Sequence, residues 1–251
     1  MFIYANGDSF TRGSELANYL LPDFPGNTAL PATNLQRLQN QKWITRVRKA
    51  RYELVEHTLR EEVKLAYPQK VADILGCECY NNAHGGSSID RIARTTITDL
   101  ARLKNEKKDI VALIGTTNIY RIEIPAPDQA WDCGQPTPSN NHMNKDITDY
   151  YIKYYTEYHA KTTYYKNLIF IRDFCKLNQI RLVLIDASHQ PELMSTPETE
   201  DLKTLKDYLD LKYDFDISKM AYEVGGDIFC PLGHFTEPVH NKLAEEIVKI
   251  I

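Results

Sequence analysis

Short apolar runs alternate along the chain with longer amphipathic stretches, and the short runs have the length of buried strands. A succession of strand, helix and strand forms a mostly parallel sheet with helices on both of its faces. The pattern therefore predicts an α/β protein with three layers, α/β/α. The predicted strands lie at residues 2–5, 78–81, 110–114, 181–185 and, as a short one, 227–229.

The first predicted strand ends in the turn Gly7-Asp8-Ser9-Phe10, which puts a serine at the carboxyl end of a strand. Open α/β sheets bind their ligands at this edge. Backbone N–H groups of such a turn can face developing negative charge. The tripeptide is equally typical of an ordinary capped turn. With a histidine base in reach, Ser9 would be a nucleophile, and it is the best candidate in the chain.

Among the seven histidines, His234 is the preferred candidate for the base. It lies on a loop interrupted by glycine and proline, just before a predicted terminal helix at residues 237–251, and loops on a rigid scaffold commonly carry catalytic side chains. His84 stands beside two glycines after the second strand, and His189 follows the fourth strand. Both are candidate pocket-lining residues.

Three segments together resemble the SGNH hydrolases, the superfamily of GDSL-type esterases. Residues 7–10 match the nucleophile block, residues 82–88 (Asn-Ala-His-Gly-Gly-Ser-Ser) match the glycine block, and residues 233–240 match the histidine block. The resemblance implies the three-layer fold with a flavodoxin-like, mostly parallel five-stranded sheet. It also implies that Ser9 is the nucleophile, that His234 is the general base, and that Ser9 and Gly86 donate backbone N–H groups to the oxyanion.

The third block departs from the usual Gly-x-Asn of this superfamily, because residues 115–118 read Gly-Thr-Thr-Asn. The asparagine comes one residue late. Either Asn118 still directs its amide into the oxyanion hole, or Thr117 takes that place and offers a hydroxyl. Both groups can donate, and a fixed amide is the better preorganised donor.

A second departure concerns the acid that orients the histidine. The superfamily places an aspartate three residues before it, where this chain has Pro231. A backbone carbonyl of residues 229–232 could accept the Nδ1 proton instead, which would give a Ser-His dyad. Asp227 is the alternative if the loop folds back. Loss of the orienting acid can cost about 10⁴ in rate, so a weak enzyme and a catalytically impaired relative are both compatible with the sequence.

Composition limits the classes of molecule that this protein is expected to bind and the compartment in which it is expected to lie. The net charge of −4 and the pI near 6.0 argue against a nucleic-acid binder. The five cysteines include no Cys-x-x-Cys pair and suggest free thiols in a reducing compartment. We expect no bound metal and no cofactor. The apolar start is too short for a secretory signal, and no run reaches the roughly 18 apolar residues of a membrane span. We expect a cytoplasmic protein, with a phage virion or an infected host cell also compatible.

We expect one domain over residues 1–251 with insertions at about 20–64 and 125–144, the second being a long irregular loop of the kind that forms lids. The resemblance implies hydrolysis of a small O-acyl ester, such as deacetylation of a carbohydrate. An O-acyltransferase and a non-enzymatic binding or virion assembly protein are the alternatives. Residues 116–121 resemble variant members in large tailed bacteriophages, and Arg121 and Asp8 are further pocket candidates. Oligomeric state is not indicated.

Overall fold

The computed structural model describes residues 1–14, 16–17, 61–106, 109–126, 129–134, 145–187, 199–210, 212–226, 228–230 and 234–251. Strands and helices alternate along most of this length. In chain order the elements are β1 (Phe2–Asn6), α1 (Ser9–Arg12), α2 (Tyr67–Leu75), β2 (Glu78–Asn81), α3 (Ile89–Glu106), β3 (Ile110–Gly115), β4 (Ile124–Ala126), β5 (Gln129–Gly134), α4 (Lys145–Lys153), α5 (Glu157–Leu177), β6 (Arg181–Asp186), α6 (Glu200–Leu209), β7 (Phe215–Asp216), α7 (Ile217–Val224) and α8 (Glu237–Ile250).

Five strands form a parallel sheet in the order β2-β1-β3-β6-β7. This is the flavodoxin-like order, in which the second sheet strand lies on one side of the first and all later strands lie on the other. The predicted α/β fold and four of the five predicted strands are confirmed. The sheet puts the carboxyl ends of β1 and β3 side by side.

The fifth predicted strand, at residues 227–229, is wrong for residues 228 and 229, which the structure describes and which do not belong to the sheet. The fifth strand is β7, which pairs with β6. Asp214, just before β7, donates its N–H to Leu184 O at 2.9 Å, and its Oδ2 accepts the Leu184 N–H at 2.8 Å. Phe229 instead forms an antiparallel bridge with Phe235, and their rings stack 5.2 Å apart. The strand-like pattern at residues 227–229 therefore came from Phe229, which lies in the loop that carries His234 (the histidine loop).

Alternate residues of the central strands point into two separate apolar clusters, as the period of two in a strand requires. Phe2 and Tyr4 of β1 pack against α3, α5 and α6. Ile3 and Ala5 pack against α2, α7 and α8. The sheet is thus covered on both faces, which explains why β1 is apolar up to Ala5 and β3 is apolar throughout.

A threonine fills the gap where β1 and β3 end. The Thr11 side chain of α1 occupies the space that a Cβ atom at Gly7 or at Gly115 would need, so both contacts require glycine. Tyr67 donates its hydroxyl to Thr11 Oγ1 at 3.3 Å from the neighbouring helix α2. This packing sets the direction in which the chain leaves β1 towards Ser9.

The segment at 125–144 is not irregular throughout, because β4 pairs antiparallel with β5 in a short hairpin. Residues 61–64 at the end of the other predicted insertion are helical. The remainder of both insertions lies outside the described residues. None of the helices described here is long and apolar enough to cross a bilayer.

A buried histidine joins α8 to the start of α2. The Tyr67 N–H, one of the helix-terminal donors that lack a partner within the helix, donates to His240 Nδ1 at 3.2 Å, and the two rings stack. Burial, followed by electrostatic interactions with Lys70 and His234, lowers the pKa of His240 from 6.5 to about 3. The imidazole is therefore neutral in the folded protein at neutral pH.

This neutral histidine predicts a loss of stability in mild acid. Its pKa is lower in the folded state, so its full contribution is present above 6.5 and declines as the pH falls from there towards 3. For one proton the free energy of unfolding should decrease by roughly 1 to 2 kcal/mol between pH 6.5 and pH 5. Urea unfolding of the wild type and of His240→Gln across this range measures the difference. Parallel pH profiles of the two proteins would contradict the assignment.

Candidate active site

The candidate site lies at the carboxyl edge of the sheet, between β1 and β3. The chain passes from β1 to β2 on one side and then returns to β3 on the other, so the loops after β1 and β3 diverge. A crevice at this switch point is where open α/β sheets bind ligands. The loops that follow β1, β2 and β3 are in contact with one another at this edge of the sheet.

Ser9 is the first residue of the four-residue helix α1, and its neighbour Asp8 is the N-cap. Asp8 Oδ1 accepts the Phe10 N–H at 3.0 Å, which fixes the turn on both sides of the serine. Ser9 is 8% exposed. The serine is therefore largely enclosed within a turn of defined geometry.

The other Asp8 carboxylate oxygen binds the loop after β3. Asp8 Oδ2 accepts from Thr117 Oγ1 at 3.0 Å and from Arg121 Nη1 at 2.8 Å, and the same Nη1 donates to Thr117 Oγ1 at 2.7 Å. Asp8 is almost fully buried, and its ion pair with Arg121 supplies the compensation that a buried charge requires. The loops after β1 and β3 are thus joined by charged hydrogen bonds.

The glycine loop after β2 passes next to the serine. The His84 N–H donates to Gly7 O at 3.2 Å, and a Cβ atom placed on Gly85 would lie 3.9 Å from Ser9 Cβ. Gly86 has a φ of +79°, in the left-handed region that favours glycine. The His84 side chain is exposed, with Nδ1 at 2.9 Å from Gly85 O, so Nδ1 carries the proton in this contact.

Asn118 forms a tight turn in the loop after β3. Its Oδ1 accepts the Tyr120 N–H at 2.9 Å, and its backbone oxygen accepts the Arg121 N–H at 3.1 Å. The carboxamide oxygen is therefore held by the turn, and the Nδ2 group is the donor end of the side chain. Asn118 is half-buried, whereas Thr117 is fully buried.

Two tyrosine hydroxyls donate hydrogen bonds to backbone carbonyls of this loop. Tyr155 donates its hydroxyl to Ile119 O at 2.9 Å, and Tyr151 donates to Tyr120 O at 2.8 Å. Burial raises the pKa of both phenols well above the ordinary value, so they remain protonated donors. The repeated tyrosines at residues 150–158 indicate helical packing in the sequence, but nothing in their spacing reveals these two contacts.

The loop that carries His234 contacts the turn at residues 7–10 through aromatic rings. The His234 ring lies 5.4 Å from the Phe10 ring, and Phe235 lies 5.2 Å from the same ring. The Cys230 N–H donates to His234 O at 2.6 Å, and the bridge between Phe229 and Phe235 closes the loop. His234 is half-buried and stands beside the residue that follows Ser9.

Comparison with solved structures identifies the fold. Over 99% of the chain, the structure aligns with a carbohydrate esterase family 2 enzyme of Corynascus thermopiles (Myceliophthora fergusii) that also carries a carbohydrate-binding domain, with a TM-score of 0.50 and 14% identity. The aligned part is 64% of that longer protein. The chain has the SGNH-hydrolase fold. A G-D-S-L lipolytic family protein of Desulfitobacterium hafniense DCB-2 also aligns, over 100% of this chain and 99% of its own, with a TM-score of 0.45 and 11% identity.

No protein-family model matches the sequence. No curated protein matches it either. The likeness to these solved structures is therefore one of fold.

Within the SGNH fold, the structure brings most of the predicted site residues into one region. Asp8, Thr117 and Arg121 are in direct contact. The glycine loop adjoins Ser9, and His234 contacts Phe10. Three residues weighed from the sequence lie outside the described residues, and these are Asp227, Pro231 and His189. Within the described part of the chain, no group of three or more His, Cys, Asp or Glu residues is arranged to hold a metal ion.

Proposed function

We propose that this protein is a serine esterase that hydrolyses small O-acyl esters, with Ser9 as nucleophile and His234 as general base. The observation that carries the proposal is the juxtaposition of the nucleophile turn with the glycine loop on one side and with the His234 ring on the other. A serine gains nucleophilicity only beside a base, and a tetrahedral intermediate forms readily only beside hydrogen-bond donors. The loops around Ser9 supply both kinds of group.

In the proposed reaction, Ser9 Oγ attacks the ester carbonyl while His234 removes the hydroxyl proton. The C–O bond to the leaving alcohol then breaks as His234 returns that proton to the alkoxide. Water, deprotonated by the same imidazole, attacks the acyl-enzyme and releases the acid and the free serine. A backbone carbonyl of the histidine loop or Asp227 would accept the Nδ1 proton and keep Nε2 directed at Ser9.

For the oxyanion we propose three donors, namely the N–H groups of Ser9 and Gly86 and the Nδ2 group of Asn118. Thr117 is a poor choice for the third donor, since its hydroxyl has one proton and contacts a carboxylate and a guanidinium. An arginine can only donate and a carboxylate can only accept, so that proton is directed to Asp8. Asn118 keeps its Nδ2 group for the substrate.

The proposed substrate class is an O-acetylated carbohydrate. Support comes from the aligned family 2 enzyme, which is a carbohydrate esterase joined to a carbohydrate-binding domain. The low exposure of Ser9, 8%, is the feature on which we base the proposal of a short acyl group.

Fluorophosphonate labelling of the wild-type protein tests this function, with peptide mapping to locate the label. We expect one label, on the peptide containing Ser9, together with faster turnover of p-nitrophenyl acetate than of the corresponding octanoate. Acetate release from a panel of O-acetylated mono- and oligosaccharides tests the substrate class. An unlabelled protein that binds oligosaccharide without turnover would instead support a binding role, and transfer of the acyl group to an added alcohol would support an acyltransferase.

A further inference from the structure

The hydrogen-bonded triangle of Asp8, Thr117 and Arg121 joins the two loops that must act together in the proposed reaction. Each of its three sides is a hydrogen bond of 2.7 to 3.0 Å. Asp8 and Thr117 are buried, while the Arg121 side chain is 20% exposed. Proton directions within the triangle are fixed by chemistry, running from Arg121 to Thr117 and from both to Asp8.

Resting on the proposed esterase function, we propose that Arg121 is a positioning residue that holds Asn118 in register with Ser9. The Arg121 main chain closes the Asn118 turn through its N–H, and its side chain extends to the carboxylate that caps the nucleophile turn. One residue thus connects the serine to the proposed third oxyanion donor. Thr117 provides a second, parallel connection between the same two loops.

The connection acts on geometry more than on substrate affinity. Asp8 Oδ1 holds the N–H of Phe10, and Asp8 Oδ2 holds the guanidinium, so the carboxylate spans the turn that carries Ser9. Without the guanidinium, a buried carboxylate would lack its cation, and the turn would rearrange to hydrate it. The separation of Ser9 and Asn118 would then change, which lowers the rate of the chemical step.

Other hydrogen bonds of the same loop join it to tyrosines of the helical layer, whereas Arg121 joins it to Asp8. Tyr155 and Tyr151 hold the backbone of Ile119 and Tyr120 against the helical layer, away from Ser9. These contacts fix the loop to the scaffold but not to the nucleophile turn. Arg94 likewise pairs with Glu123 beyond the turn, at 2.5 and 3.1 Å, with no part in the triangle.

Steady-state kinetics of Arg121→Gln with p-nitrophenyl acetate test the inference, with fluorophosphonate labelling rates measured in parallel. We expect kcat and the labelling rate to fall by about tenfold to a hundredfold, with KM changed by less than about threefold. Arg94→Gln is the matched control, because it removes the partly buried ion pair to Glu123, two residues after Arg121. We expect kcat and the labelling rate of this variant to change by less than about twofold. Thermal unfolding verifies that each variant is folded.

Two further sets of variants separate positioning from a general structural role. Thr117→Val removes the hydroxyl with little change in shape, and Thr117→Ser keeps it, so the inference requires a loss in the first and near wild-type kcat in the second. In the double variant Thr117→Val/Arg121→Gln, the fold loss in kcat should be smaller than the product of the two single losses, because both substitutions affect the same connection between the loops. Millimolar ethylguanidinium should restore part of the kcat of Arg121→Ala without raising its melting temperature.

The outcomes distinguish this inference from the proposed function. A wild-type protein that is not labelled and does not turn over ester overturns both. A labelled wild type with unchanged kcat in Arg121→Gln overturns the positioning role alone, as does a loss that appears only in KM. If Arg121→Gln does not fold, the Thr117 pair decides, and equal kcat in Thr117→Val and Thr117→Ser rejects the connection.

Discussion

Replacing Ser9 with alanine should lower ester turnover by about 10⁴ to 10⁶ and abolish fluorophosphonate labelling. The change removes only one oxygen from a largely buried side chain at the start of α1, and the Asp8 cap contacts the Phe10 N–H rather than the serine hydroxyl. The fold should therefore persist while the covalent route is lost. Any residual rate would come from the oxyanion donors acting on water alone.

Ser218→Ala is the matched control for this experiment. Ser218 lies on α7, which follows the edge strand β7, and it is half-buried. The variant should keep wild-type labelling and turnover. Labelling that survives in Ser9→Ala, or that maps to another peptide, would show that Ser9 is not the nucleophile.

Replacing His234 with alanine should produce a loss of similar size, about 10⁴ to 10⁶ in kcat, with the protein still folded. The ring contacts Phe10 at the margin of the site and is half-buried, so its removal leaves a small space open to solvent. Without an imidazole, the serine hydroxyl retains its proton and attacks slowly. Imidazole added to the buffer should enter that space and recover a measurable fraction of the rate.

His159→Gln provides the comparison for this variant, because His159 is exposed on α5. Its turnover should equal that of the wild type. Two results would reject His234 as the base. One is a turnover of His234→Ala within tenfold of the wild type, and the other is a loss of turnover that is explained by unfolding of the variant at the assay temperature.

Much of the fold could be predicted because the apolar runs of β1 and β3 are continuous and end in unusual turns. The short strand β7 could not, since two residues carry too little pattern and Phe229 gave a stronger signal. Sequence also left open the choice between Thr117 and Asn118. Our proposal of Asn118 depends on the direction of the Thr117 hydroxyl proton, and the carboxylate that accepts this proton is 109 residues away in the sequence.

The support of the loop after β3 was likewise beyond the sequence. The tyrosine spacing in residues 150–158 is that of any helix packed on a sheet, and only the three-dimensional arrangement shows that Tyr155 reaches a backbone carbonyl of that loop. Asp8 and Arg121 were both candidates for the pocket, but their pairing depends on neighbouring strands that are distant in the sequence.

The threonine between the ends of β1 and β3 has a consequence for how this protein can change. Because Thr11 fills the volume beside Gly115, an enlargement at this glycine is tolerated only if residue 11 becomes smaller at the same time. Gly7 has a φ of +158° as well, so a side chain there is strained even beside a smaller residue 11. Positions 11 and 115 must therefore change together, and a library that varies residue 115 alone would recover little besides glycine. The direction in which the chain leaves β1 is therefore set by the packing of Gly7, Thr11 and Gly115 together, and a change at one of them alone would disturb it.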